Sequence, residues 1–513
     1  MKRRNFLKLS AAGAAAAAVG IPLLGRRGYA LSFGEFPSEA ASKRLPKDVQ
    51  AQSVLEIFLQ GGLSAWETLY LVEEYGRPTD PMFPNTQFYT FPTTGSRSIQ
   101  DALSECAFPG GEPMGVSFAT DSNGADVKLG PFAYLLRQRA DMTDRMRVIV
   151  QRHTLEPHEA AVPLSLTGKP VGQPAAAGLG AHLQRYFIQN GPADRKAPYS
   201  YVFSTGGILG DNVSVATATG FHSGVARPLH IKVDNAETLT TLLRRPEIGN
   251  PDDRDRYDAL LASYVEQHRN RLRWQGTGAP TRSARFTELD QSAAAVRNAQ
   301  AVSDIMDDTL FTPRGDTTCN DENGFDVPGI SLNAARYLLT HPSQPARYVM
   351  VADTGLIEAS GSGGYDTHTD NSHDQARNFH HLLKNLTAVV NQPGEDDPTK
   401  IDLDKTMIIL NTEFGRTPFA QSGSGRNHHP YGYVTAVIGG PVTSAQKGVF
   451  GAIGPDGVAD EYVSPGTNRA AAMLALGIWP FAQESLAVGD INDAGTELDG
   501  VQLATERVLG YSL

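Results

Sequence analysis

Short apolar runs, each followed by polar or glycine-rich sequence, recur along this chain. Five of them have the length of a strand and are mostly apolar: residues 54–59, 147–150, 348–351, 407–410 and 434–438. Runs of this kind are typical of strands that are buried on both faces of a parallel sheet. In such sheets, sites form in the loops beyond the carboxyl ends of the strands. We therefore look for chemistry in the loops that border these five runs.

Helical patterns separate the predicted strands. The clearest covers residues 375–390, where apolar side chains recur at spacings of three and four and predict one face packed on a sheet. Residues 252–271 and 284–306 also read as helices, and we assign them to a mainly helical insertion at about 250–310. The alternation of strands and helices predicts an α/β fold with a mainly parallel sheet.

The first thirty residues have the character of an export signal. Arg3 and Arg4 precede a Phe-Leu pair, and an alanine-rich, weakly apolar stretch follows as far as Gly25. Paired arginines in this position indicate a twin-arginine leader, with cleavage after Ala30. An uncleaved membrane anchor is the alternative, although the stretch barely reaches the roughly 20 residues that a spanning helix needs. The leader implies the twin-arginine translocase as a partner and a periplasmic or secreted location.

The leader sets the expected domain organisation. We expect a signal peptide at 1–30, a polar tether at 31–50 and one α/β domain at 51–513. No later stretch reaches eighteen uninterrupted apolar residues, which predicts a mature protein without a membrane span.

Charge and cysteine content narrow the function. The net charge is -11, and no basic cluster occurs outside the leader, which argues against nucleic-acid binding. The only two cysteines, Cys106 and Cys319, are too few for a zinc site built from thiolates. Whether they form a disulfide in an oxidising compartment stays open, because the sequence contains no distance between them.

Residues suited to metal binding concentrate in the last third of the chain. Asp366 and His368 lie two positions apart in a glycine-rich loop, Glu413 follows the run at 407–410, and His428 precedes the run at 434–438. Carboxylates and neutral imidazoles are suitable ligands for zinc, manganese or a similar divalent ion. Arg416 could hold an anionic oxygen or could pair with Glu413, and the pattern leaves both open.

The order of these elements resembles a known family, the domain-of-unknown-function 1501 family, which is usually grouped with the alkaline-phosphatase and sulfatase superfamily. The elements that carry the resemblance are Gly62-Leu63-Ser64-Ala65-Trp66-Glu67-Thr68, Gly364-Tyr365-Asp366-Thr367-His368, Glu413-Phe414-Gly415-Arg416-Thr417-Pro418 and Asn427-His428-His429-Pro430. The resemblance spans about residues 54–477. It implies a three-layer α/β/α sandwich of the alkaline-phosphatase type, with one or two divalent metals.

Carried over by position, the resemblance assigns metal binding to Asp366, His368, Glu413 and His428. This chain departs from the family pattern twice, with Asn427 and Glu67 where aspartate is common. The superfamily's nucleophile has no sure counterpart, and Ser64 and Thr68 are the nearest candidates.

A weaker element follows the run at 147–150, where His153 and His158 either line the same cleft or are structural. Neither a Gly-x-Ser-x-Gly elbow nor a His-Glu-x-x-His motif is present, which argues against serine hydrolases and zinc peptidases. The sequence therefore favours a metal-dependent hydrolase acting on a small phosphate or sulfate ester, with Arg416 stabilising the developing charge. The alternative is a secreted binding or assembly protein that has lost catalysis on the same fold.

Overall fold

The structure is a computed structural model. It describes residues 32–75, 108, 115–170, 176–192, 195, 197–204, 228–232, 327–355, 364–421, 425–482 and 484–513, together with isolated helical positions between 253 and 267. The predicted leader, both cysteines and most of the predicted helical insertion at 250–310 lie outside the described residues.

Strands and helices alternate along the described chain. The strands are β1 Ser53–Leu59, β2 Val116–Thr120, β3 Asp126–Leu129, β4 Met146–Gln151, β5 Ser200–Ser204, β6 Leu229–Lys232, β7 Tyr348–Asp353, β8 Thr406–Asn411, β9 Gly415–Arg416, β10 His428–His429, β11 Tyr433–Gly439, β12 Gly448–Phe450, β13 Ala452–Ile453 and β14 Ala459–Glu461. The helices are α1 Tyr134–Arg137, α2 Ala140–Thr143, α3 His158–Thr167, α4 Leu179–Asn190, α5 Val327–Thr340, α6 Asn371–Val389, α7 Pro465–Ala475 and α8 Glu497–Ala504.

Eight of these strands form one large sheet in the order β12-β4-β11-β8-β1-β7-β5-β6. The five runs predicted as strands are β1, β4, β7, β8 and β11, which include the centre of the sheet. All neighbouring pairs are parallel except those that β11 makes with β4 and β8. The protein therefore has a mixed α/β fold built on a mainly parallel sheet, as the alternating pattern predicts.

The strand directions bring distant loops to one edge. β1 lies between β7 and β8, with Leu59 paired to Asp353 and Phe58 paired to Asn411, so the three carboxyl ends meet. β4 runs in the same direction, because it is antiparallel to β11, which is itself antiparallel to β8. The residues just before β11 reach this edge too, since that strand starts there. We call this the carboxyl edge of the sheet.

Helices cover both faces of the sheet. Successive side chains of a strand point to opposite faces, so Val54 and Phe58 pack with α3, α4, α7 and α8, whereas Leu55 and Ile57 pack with α5 and α6. The predicted helix at 375–390 is observed as α6, and its apolar face is buried. The face that carries α3 is referred to below as the α3 face.

Residues 32–50, which the sequence predicts to be a polar tether, pack on the α3 face. Phe33 stacks on His182 with ring centroids 6.0 Å apart, and the Arg185 guanidinium carbon lies 4.3 Å from the Phe33 ring centroid. Ala40 and Leu45 are buried as well. Isolated apolar residues in a polar segment show no periodicity, so the sequence pattern gives no indication of this packing.

Candidate metal centre

Two glycines shape the backbone around the aspartate loop at the carboxyl edge. Gly364 has a φ of +80°, and a Cβ atom there would lie 2.7 Å from the carbonyl oxygen of Thr354. Gly61 has a φ of +115°, and its Cβ would lie 2.2 Å from the backbone nitrogen of Asp366. Only glycine tolerates this conformation at such close approach. The glycines thus let the loop after β1 pack directly on the backbone of Asp366.

Three histidines converge on one oxygen of Asp366. Its Oδ1 atom lies 3.4 Å from His158 Nε2, 3.2 Å from His368 Nε2 and 3.5 Å from His428 Nε2. The Nε2 atoms of His368 and His428 are 3.0 Å apart. The four side chains come from three separate segments: the start of α3 after β4, the loop after β7, and β10 before β11. We call these four residues the His–Asp cluster.

In each histidine of the cluster, Nε2 faces Asp366 and the other ring nitrogen, Nδ1, contacts a hydrogen-bond acceptor. The contacts of Nδ1 are the Glu413 carboxylate at 2.9 Å from His158, the Glu156 carbonyl at 2.8 Å from His428, and the Gln421 amide oxygen at 2.9 Å from His368. Since such oxygens accept hydrogen bonds, Nδ1 carries the proton in the neutral ring. The lone pair of each neutral ring is then on Nε2 and faces the cluster, which is the orientation that a metal ligand requires.

The cluster fits a divalent cation by its donor set and its spacing. His158, Asp366 and His428 each present a ligand atom within 4.8 Å of the others. The buried Nε2 atom of His158 has no well-oriented hydrogen-bond partner among the described residues. Ligands at about 2.0–2.1 Å from a tetrahedral zinc ion are about 3.3 Å apart, and the three distances to Asp366 Oδ1 and the His368–His428 distance, at 3.0–3.5 Å, are close to this value. The residues present therefore suit a bound metal ion.

Glu413, predicted to bind the metal, lies behind His158. Its carboxylate is fully buried and accepts hydrogen bonds from the backbone N–H of Gly61 at 2.7 Å and from the hydroxyl of Thr412 at 3.3 Å, besides its contact with His158 Nδ1. The His158 ring thus lies between the Glu413 carboxylate at Nδ1 and Asp366 Oδ1 at Nε2. Metal binding by Glu413 stays a prediction.

Arg416 is also buried, and it holds Asp366. One terminal nitrogen of the guanidinium lies 2.5 Å from Asp366 Oδ1 and also donates to the Gly61 carbonyl, while the other donates to the Arg426 carbonyl at 3.1 Å. Arg416 therefore pairs with Asp366 and not with Glu413. The side chain is fully buried, and its predicted contact with a substrate oxygen stays a prediction.

Charge coupling within the cluster is strong. Burial by itself would lower the pKa of His158, but the neighbouring carboxylates of Asp366 and Glu413 outweigh it and raise that pKa to about 9. Burial would raise the pKa of Asp366, whereas the three histidines and Arg416 hold it far below its ordinary value. The two carboxylates thus favour the positively charged form of the His158 ring.

The two predicted nucleophiles are buried beside the cluster. The Ser64 hydroxyl donates to the Glu67 carboxylate, and the Thr68 hydroxyl donates to the Ser64 carbonyl at 2.6 Å. Both side chains are fully buried. Neither hydroxyl has a described contact with the His–Asp cluster.

Several other histidines near this edge have structural contacts. His153 Nε2 lies 2.6 Å from the Glu413 carbonyl, and His429 Nε2 lies 2.6 Å from the Gly457 carbonyl. His373 is buried in α6 beside Asp374. The sequence pattern leaves open whether His158 lines the cleft or is structural. The feature that indicates a place at the site is its position shortly after β4, a strand that ends at the carboxyl edge.

The fold and the cluster define an α/β protein with a candidate metal centre at the carboxyl edge of its sheet. Residues 51–478 match the family model described as protein of unknown function (DUF1501), and residues 1–20 match the twin-arginine translocation pathway signal sequence. The chain therefore belongs to the DUF1501 family and carries a signal for export by the twin-arginine route to the periplasm or beyond. No curated protein and no solved structure matches the sequence.

No helix among the described residues combines the length and apolar character needed to cross a membrane.

Proposed function

We propose that this protein is an exported, metal-dependent hydrolase of phosphate or sulfate esters. The observation that carries the proposal is the convergence of three histidine Nε2 atoms on Asp366, each ring held from behind by an acceptor at Nδ1. A hydrogen-bonded second layer of this kind is usual around metal ligands. We also propose kinship with the alkaline-phosphatase and sulfatase superfamily, which is supported by a mainly parallel sheet with helices on both faces.

The residues of the cluster divide into ligands and supports. Asp366, His158, His368 and His428 would hold a divalent ion such as zinc or manganese, and Arg416 and Glu413 keep two of these ligands in place. When bound, such an ion would polarise an ester oxygen and lower the pKa of a water molecule. The side chains of His368, Asp366 and His428 are 34%, 20% and 18% exposed, so a substrate would approach beside His368.

Water is the best-supported nucleophile, because the hydroxyls of Ser64 and Thr68 are buried and already hydrogen-bonded. In the proposed reaction the water oxygen forms a bond to phosphorus or sulfur. The bond from that atom to the ester oxygen breaks, and the leaving alcohol takes up a proton. The ligand side chains position the water, and neither hydroxyl becomes covalently modified.

The burial of Arg416 favours a second candidate, a binding or assembly protein without turnover. Arginine is a frequent partner of anionic oxygens, but here its terminal nitrogens contact Asp366 and backbone carbonyls. Ester hydrolysis would benefit from a cationic side chain that contacts the substrate oxygens, whereas a metal-stabilised protein that only binds a partner would not need one.

Metal analysis combined with an ester assay tests the proposal. Protein purified from the periplasm should contain a stoichiometric divalent metal and should hydrolyse an aryl phosphate or an aryl sulfate. His428→Ala should lose both, with at least about 100-fold weaker metal binding, since removing a ligand costs no less than removing a second-layer partner. His429→Ala is the matched control, because its ring faces Gly457.

The outcomes separate the candidates. Metal-dependent turnover that disappears in His428→Ala supports the hydrolase. Stoichiometric metal without turnover on either ester supports the binding protein, and absence of bound metal overturns the metal centre itself.

A further inference from the structure

A buried ion pair lies next to the His–Asp cluster. Glu67, in the loop after β1, and Arg426, two residues before His428, are 2.5 Å apart, with side chains that are 0% and 2% exposed. The other terminal nitrogen of Arg426 donates a hydrogen bond to the Ser64 hydroxyl at 3.4 Å. The Ser64 hydroxyl in turn donates to the Glu67 carboxylate. The pair therefore joins two loops that are more than three hundred residues apart in the chain.

The backbone of Arg426 extends this link to the metal-ligand loops. Its N–H donates at 3.1 Å to the carbonyl of Thr367, which stands between Asp366 and His368. Its carbonyl accepts at 3.1 Å from Arg416, the residue that pairs with Asp366. A shift of Arg426 would thus be passed to Asp366, His368 and His428 together.

The molecule contains a second buried ion pair that serves as an internal comparison. Glu56 in β1 and Arg469 in α7 are 2.6 Å apart, with side chains that are 0% and 1% exposed. The Glu56 carboxylate also accepts from the Tyr348 hydroxyl at 2.6 Å and from the Asn411 amide at 2.9 Å. Burial and geometry match the first pair, but none of these described partners belongs to the His–Asp cluster.

We propose that Glu67 and Arg426 form a positioning pair for the metal centre, setting the relative placement of Asp366, His368 and His428. This inference rests on the metal centre of the proposed function, but not on turnover. Arg426 acts through its neighbours and contacts neither substrate nor metal. Loss of the pair should weaken metal binding by about 10–100-fold, the usual effect of removing a second-layer partner.

The test compares paired substitutions in the exported, processed protein. Glu67→Leu/Arg426→Met and Glu56→Leu/Arg469→Met each remove both charges, because removal of one partner alone would leave a buried unpaired charge. Metal affinity is measured by titrating metal-free protein with Zn²⁺ and with Mn²⁺ against a chromophoric chelator. Unfolding by urea is followed in parallel.

We expect Glu67→Leu/Arg426→Met to weaken metal binding about 10–100-fold, while Glu56→Leu/Arg469→Met keeps the parent affinity even where its stability changes. Equal affinity in the two double variants overturns the inference. The inference is also overturned if metal affinity in the two double variants falls in proportion to their loss of stability against urea.

Arg426→Lys provides a second measurement if the double variant does not fold. Lysine keeps the charge but lacks the planar fork that reaches Glu67 and Ser64 together, so we expect a loss of affinity smaller than about 10-fold but resolvable. Parent-like affinity in Arg426→Lys counts against the inference. Absence of metal binding by the parent protein overturns the proposed metal centre as well, which distinguishes the two failures.

Discussion

Two histidines on the α3 face of the sheet have opposite electrostatic surroundings. His158 begins α3 at the carboxyl edge, where Asp366 and Glu413 overcome the effect of burial and raise its pKa to about 9. His182 lies within α4, where burial, together with the charges of Lys169 and Arg185, lowers its pKa to about 3. The His158 side chain is 15% exposed and His182 is 1% exposed. Burial lowers the pKa of both, so the rise in the pKa of His158 comes from its charged neighbours.

The comparison shows how a histidine of the candidate site differs from a core histidine in this fold. Burial alone favours the neutral imidazole, and at His158 the two carboxylates reverse that preference. His182 has the aromatic ring of Phe33 stacked on it, which makes it part of the packing. His158 instead has a carboxylate near each ring nitrogen, which makes it suited to bind a cation.

The largest expected effect is the difference in metal affinity between a variant that lacks His158 and one that lacks His182. His158→Ala should weaken metal binding by more than about 100-fold, since it deletes a ligand. His182→Gln should leave metal affinity unchanged, because its ring faces the core. Titration of both metal-free variants against a chelator checks this. A parent-like affinity of His158→Ala would remove the basis of the comparison.

A pH series should reveal His182 through stability. Its pKa is about 3 in the folded state and 6.5 in the unfolded state. Above pH 6.5 the free energy of unfolding is therefore unaffected by this group. Between pH 6.5 and about 3 it falls as the pH drops, because only the unfolded chain takes up the proton. The loss should be about 1.4 kcal/mol per pH unit.

Urea unfolding at pH 7, 6 and 5 measures this loss. The parent protein should lose more free energy of unfolding than His182→Gln, which cannot titrate at this position. Parallel losses in the two proteins would show that His182 is not held neutral.

A smaller effect should follow from removing the carboxylate behind His158. Glu413→Ala should weaken metal binding by about 10–100-fold, since the His158 ring loses its hydrogen-bonded orientation. Glu413→Gln keeps an acceptor oxygen and should recover part of the loss. The exposed Glu461 offers a matched control, and Glu461→Ala should bind metal as the parent does. An unchanged affinity in Glu413→Ala would mean that the ring is held by other contacts.

The smallest predicted effect tests whether stability and metal binding are separable. Ser464 caps α7, with its hydroxyl accepting from the backbone N–H of Thr467 at 3.2 Å. Ser464→Ala should cost about 1 kcal/mol of unfolding free energy, with metal affinity unchanged. If affinity falls in step with stability, the losses expected above could not be assigned to the site.

Part of the fold was predictable from local pattern because its strands are apolar on both faces. The runs behind β1, β4, β7, β8 and β11 were recognisable for this reason. The packing of residues 32–50 was missed, since Phe33 and Leu45 are isolated apolar residues in polar sequence and only their partners show that they are buried. The edge strands of the sheet, which are shorter, were not predicted either.

Most residues of the candidate site were predictable from the sequence, but their contacts with one another were not. Asp366, His368 and His428 do converge, as their loops bordering predicted strands suggested. Glu413 and Arg416 lie beside them, in contact with His158 and Asp366. His158 was underweighted because its link to Asp366 spans more than two hundred residues, and no local pattern encodes a contact of that range.

The amino-acid sequence by itself determined the export signal, the α/β alternation and the presence of carboxylates and imidazoles in loops at strand ends. These are local properties, set by charge and by apolar spacing. Tertiary structure decided which atoms meet. The order of β4, β11, β8, β1 and β7 brings the loops to one edge. The acceptors at the Nδ1 atoms then select which ring nitrogen faces the cluster, because an imidazole can turn either nitrogen inward until a hydrogen bond fixes the other.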